Sequence, residues 1–113
     1  MSKWNEAIEN LKTINHPHAK LNLGIMYMAD GEYQRGLPLI SEIADQGVAN
    51  ALEVLRNYYA GVEKNSYIAG MYGMRAEKAD RLGKYFGGIT PTFPTSVSLR
   101  DEILSYVIET FGP

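Results

Sequence analysis

The sequence predicts an all-α fold: a short α-solenoid of antiparallel helical hairpins with a C-terminal capping helix. Three observations predict it. Apolar residues recur at three- and four-residue spacing through most of the chain, and no segment reads as a confident strand. Glycines close most of the periodic runs and the connections are short, which sets neighbouring helices antiparallel. Finally, Ala19, Leu23 and Tyr27 return 32 positions later as Ala51, Leu55 and Tyr59, each time ahead of a second helix.

About six helices follow in order. Ser2 caps the first, which runs to about Ile14 with Ala7, Ile8, Leu11 and Ile14 on one side. Pro17 fits the first turn of the second, which reaches about Ala29 and stops at Gly31. The third spans roughly Glu32 to Gln46 on a stripe of Tyr33, Leu37, Ile40 and Ala44, with Pro38 interrupting it near the start. The fourth spans roughly Val48 to Ala60, with Ala51, Leu52, Leu55 and Tyr58 or Tyr59 inward. The fifth starts near Ser66 and runs to about Tyr85 on Ile68, Tyr72, Ala76, Ala79 and Leu82. Gly87-Gly88 and the Pro-rich "ITPTFPTS" break the pattern, so residues 87–97 read as an extended connector. Ser98 opens the last helix over 98–113, with Asp101 and Glu102 placed in its first turn. Residues 1–86 hold the repeat helices, and the whole chain forms a single domain.

Composition narrows the chemistry. The chain has 113 residues, 45% of them hydrophobic and 21% charged, which suits a folded domain. A net charge of -2 supplies no field for nucleic acid or anionic lipid. With no Cys, thiolate metal sites, Cys nucleophiles and disulfides are excluded. No apolar stretch reads as a secretory signal or a membrane span, so the expected location is the cytoplasm. His16-Pro17-His18 has no metal-ligand spacing and reads as a helix entry. "GKYFGG" lacks phosphate-loop spacing and reads as a helix end. No residue set supports catalysis, so the chain is expected not to be an enzyme and to need no cofactor and no metal.

Leu23-Gly24, Tyr27, Gly31, Tyr33 and Gly36 resemble the tetratricopeptide signature, and "HAKLNLGIMY" and "EIADQGVANALEVL" are still more similar to the Sel-one-like repeat, a close relative. Ala44, Gly47 and Ala51 match the join between repeats, whereas Arg56 stands where the pattern has glycine. The likeness runs from about Ala7 to Leu82. It implies about two repeats whose first helices line a concave face, and the unmatched region after Gly87 is expected to cap the end. The same residues, read without the resemblance, agree: Gly24 mid-helix marks a close helix crossing, and Leu23 and Tyr27 point into the hairpin.

The concave positions implied by the alignment are His18, Leu21, Ile25 and Met28 on the second helix and Asn50, Glu53, Asn57 and Ala60 on the fourth. The second helix is apolar nearly all round, so something must cover Leu21, Ile25 and Met28: the C-terminal helix, a second copy or a partner. The polar row suits a basic or polar partner segment, because Glu53 stands where a carboxylate-clamping groove would carry Lys. Tyr58, Tyr59, Tyr67, Met71 and Met74 form a second candidate contact patch. The functional expectation is a non-enzymatic protein–protein interaction module that binds a dedicated protein partner through its concave face. A bacterial inhibitor or immunity protein that occludes a toxin or effector fits this shape. The alternative is a self-associating structural or adaptor protein; a small enzyme ranks below both.

Overall fold

The computed structural model describes residues 2–113. Among them the chain forms six α-helices and no strand: α1 (Lys3–Lys12), α2 (Pro17–Ala29), α3 (Tyr33–Ala44), α4 (Ala49–Gly61), α5 (Ser66–Arg81) and α6 (Val97–Phe111). Ser2 caps α1 as expected, its hydroxyl accepting the Asn5 N–H at 3.1 Å. The helix stops at Lys12, short of Ile14: the Thr13 and Ile14 N–H groups bond the carbonyls three residues back, at 3.0 and 3.1 Å, and the Thr13 hydroxyl also donates to the Asn10 carbonyl at 2.7 Å. Pro17 opens α2, and the His16 ring nitrogen Nδ1 accepts the His18 N–H at 3.0 Å.

α2 and α3 meet closely, and two glycines make this possible. A Cβ at Gly24 would press on Ile40 and Leu39, and one at Gly36 would collide with the Met28 side chain and approach the Gly24 carbonyl. Pro38 lies inside α3 on its exposed side and does not end it. α5 is shorter than its pattern implied. After Arg81 the N–H of Lys84 bonds the Ala79 carbonyl and that of Gly83 bonds the Asp80 carbonyl, with Gly83 at φ +72°. This pair of bonds satisfies the last carbonyls and turns the chain out of the helix.

Each of α1 to α5 packs against the next, and α6 returns to pack on α1 and α2. The molecule measures 40 × 27 × 22 Å. At one end of α6, Arg100 donates to the Ala29 carbonyl and to Asp30 at 2.6 Å, and its guanidinium lies 4.2 Å from the Trp4 ring centre. At the other, Asn10 donates to the carbonyls of Phe111 and Gly112. α6 therefore runs parallel to α1. Its cap is Ser96 and not Ser98: the Ser96 hydroxyl accepts the Leu99 N–H at 3.1 Å. Asp101 and Glu102 consequently fall beyond the first turn, so capping does not account for them. Among the described residues no helix is long and apolar enough to cross a membrane.

Candidate partner-binding surface

The segment between α5 and α6 decides what the helices leave open. Rich in Pro and Thr, it forms neither helix nor strand, so its main-chain groups need partners from elsewhere. α4 and α2 supply them. The Ala49 N–H bonds the Lys84 carbonyl at 2.6 Å, and Asn50 Oδ1 accepts the Phe86 N–H at 3.0 Å. Asn22 Nδ2 donates to the Gly87 carbonyl at 3.1 Å, and Asn57 Nδ2 donates to the Pro91 carbonyl at 3.0 Å. The connector thus runs along α4 from its first residue to its last. At Gly61 the Phe93 carbonyl comes so close that a Cβ there would collide with it. The Phe93 ring is buried and meets Tyr33 edge-on.

His18 anchors the start of this strap. Its Nε2 lies 2.7 Å from the Gly87 carbonyl and 2.9 Å from the Tyr106 hydroxyl, and its ring contacts Phe86 and Phe111. Because the carbonyl can only accept, this nitrogen carries the proton. Asn22 and Asn50 are both buried, and each leaves one amide atom, Asn22 Oδ1 and Asn50 Nδ2, without a protein partner.

The expected concave residues divide under this geometry. Leu21, Ile25 and Met28 are fully buried, so they are core and not an open surface. The reason is that α1, α3 and α6 all pack on α2, with Met28 seated over Gly36. The cover they required is supplied by the chain itself. Asn50 and Asn57 are likewise occupied, since they hold the connector's main chain. Glu53 remains half-exposed and pairs with Arg56 at 3.0 Å, while the same guanidinium also donates to Asn57 Oδ1.

The expected Tyr/Met patch divides too. Tyr58 is buried and Tyr59 half-buried, within a run of ring contacts from Phe93 through Tyr33, Tyr58 and Tyr59 to Tyr72. The Tyr58 hydroxyl donates to Glu63 at 2.6 Å; that bond and burial push the phenol up to about 12. Tyr58 and Tyr59 are therefore packing residues. Tyr67, Met71 and Met74 stay exposed on the outer side of α5.

Two open surfaces flank α5, one on each side. Between α4, α5 and the connector lies a groove of about 560 Å³ lined by Asn50, Glu53, Arg56, Glu77, Asp80 and Thr90, among others. Its charge is mainly acidic. The outer flank of α5 carries the Tyr/Met stripe and then cations. Sequence reasoning missed Asn22, although a single Asn within "LNLGIMYM" signals a buried hydrogen-bonding task. It also placed Leu82 inward, whereas the end of α5 at Arg81 leaves Leu82 exposed. Among the described residues no group of three or more His, Cys, Asp or Glu side chains is arranged to hold a metal ion. Set against known proteins, the chain matches no family model, no curated protein and no solved structure.

Proposed function

We propose that this chain is a non-enzymatic protein-interaction module, a short solenoid of the Sel-one-like and tetratricopeptide-like type that binds one dedicated protein partner. The contact comprises the groove between α4 and α5 and the adjoining face of α5. One observation carries the reading: Tyr67, Met71 and Met74 stand exposed in one stripe beside an open, mainly acidic groove, while the rest of the expected concave face is filled by the chain itself. Large exposed apolar side chains grouped in this way mark interaction surfaces. Acidic lining at Glu53, Glu77 and Asp80 suits a basic segment of the partner. A cytoplasmic inhibitor or immunity protein that occludes a bacterial toxin or effector is the biological setting that suits a small module with one partner.

Self-association through Leu21, Ile25 and Met28 loses its basis, since all three are buried within one chain. The test is affinity purification of the tagged protein from its native producing cells, with mass spectrometry of the eluate. A stoichiometric partner should be recovered with the parent chain and lost with the double substitution Glu53→Lys and Glu77→Lys. Glu102→Lys on α6 should leave recovery unchanged. Equal recovery with all three chains, or no stoichiometric partner at all, would sink the reading.

A further inference from the structure

We infer that the outer face of α5 docks an acidic amphipathic helix presented by the partner; the inference rests on the interaction-module reading and specifies the chemistry of one contact. α5 buries Ala69, Ala76 and Ala79 against the body of the protein. Its opposite face is uncovered. Tyr67 is 77% exposed, Met71 49% and Met74 74%. Their spacing of four and then three residues makes one stripe over two turns. Such a ridge accepts the apolar side chains of a second helix laid along it. Met adapts to the shape it meets, and Tyr brings a large apolar area with few rotatable bonds.

One turn further on, the stripe passes into an apolar hollow of about 230 Å³ between Leu52, Ala79 and Leu82. Arg75, Lys78 and Lys84 ring this hollow, and no acidic residue lines it. None of the three cations has an ion-pair partner among the described residues. Glu77 and Asp80, on the same helix, instead line the groove on the other flank. In a chain of net charge -2, this places unpaired positive charge around an apolar seat. The complement is a helix with apolar anchors along one side and carboxylates next to them.

A second copy of the chain does not meet that requirement. Two α5 faces brought together would place cations in one contact with no acid to match them. The exposed acidic residues of α6, Asp101, Glu102 and Glu109, share an open surface with Ile89, Ser105 and Tyr106, but among the described residues Val97 is the only large apolar side chain of α6 that stands exposed, so the helix presents no row of apolar anchors beside its carboxylates.

The test uses the full chain with ¹³C-labelled Met methyls and two synthetic helical peptides. One carries Leu at i, i+4, i+7 and i+11 flanked by Glu; the other has Lys in place of each Glu. The acidic peptide should shift the Met71 and Met74 methyl signals and leave those of the buried Met26 and Met28 in place. Its affinity should fall about tenfold with Arg75→Glu and Lys78→Glu combined, and should also fall as salt rises. Asp101→Lys should change neither. Unmoved Met71 and Met74 signals overturn the inference. So does equal or tighter binding of the Lys peptide. A concentration-dependent dimer that shields the two methyls without peptide would assign the face to a second copy and also overturn it. If partner capture is lost with Glu53→Lys and Glu77→Lys while these methyls stay silent, the module reading stands and this inference alone falls.

Discussion

α2 and α4 share the positions Ala19/Ala51, Leu23/Leu55 and Tyr27/Tyr59, yet they live in different surroundings. α2 is enclosed by three helices and the connector, and nine of its thirteen residues are buried. α4 packs against two helices and turns a polar side to the connector and the groove. The difference follows from the residues between the shared ones. Leu21, Ile25 and Met28 need apolar cover, whereas Asn50 and Asn57 offer amide groups to a segment that cannot satisfy its own main chain. A common framework thus produces a closed end and an open end.

Breaking the closed end should have the largest effect. Leu21→Ala should lower unfolding free energy by about 3 kcal/mol, measured by urea titration, because the side chain is fully buried. Met74→Ala on the open end should change it by less than about 0.5 kcal/mol. Similar costs at the two positions would remove the contrast.

The strap comes next. Gly87→Ala sets a methyl group against the Tyr106 hydroxyl and His18 and should cost about 2 kcal/mol. Asn57→Ala removes one bond to the Pro91 carbonyl and should cost about 1 kcal/mol. Hydrogen exchange should then speed up at connector amides such as Phe86 and leave those of α2 unaffected.

Tyr58→Phe should cost about 1 kcal/mol at neutral pH, since Glu63 is exposed and regains water. The pH dependence sharpens this. The folded state holds the phenol in its neutral form, with its value raised from 10.0 to about 12. The stabilisation is therefore complete below pH 10 and lost as pH rises from 10 towards 12. The gap between the parent and Tyr58→Phe should close over that window. The smallest effect belongs to Arg81→Ala, whose exposed pair with Glu77 at 3.2 Å should contribute under about 0.5 kcal/mol.

Local signals were legible because they act over a few residues. Ser2 and Pro17 start helices where their side chains require it, and the glycines at 31, 47 and 83 take positive φ where helices end. The nearly all-round apolar character of α2 announced that it is enclosed on most sides. Ser96 in place of Ser98 was not legible, because both can cap, and the choice depends on where the connector leaves the chain extended. The tasks of Asn50 and Asn57 were hidden for a similar reason. An Asn on a helix face looks the same whether water, a partner or the chain's own backbone meets it.

By itself, the sequence determined that the protein is helical, where each helix roughly starts, that Gly24 marks a close helix crossing, and that Leu21, Ile25 and Met28 must be covered. Periodicity, caps and side-chain volume carry that information locally. Only the tertiary structure decided that α6 and the connector belong to the body of the same molecule, so that the expected concave face is largely filled and α5 is left as the open edge. That outcome depends on contacts as distant in sequence as Asn10 with Phe111 and Trp4 with Arg100, where packing and hydrogen bonding join residues that no local pattern links.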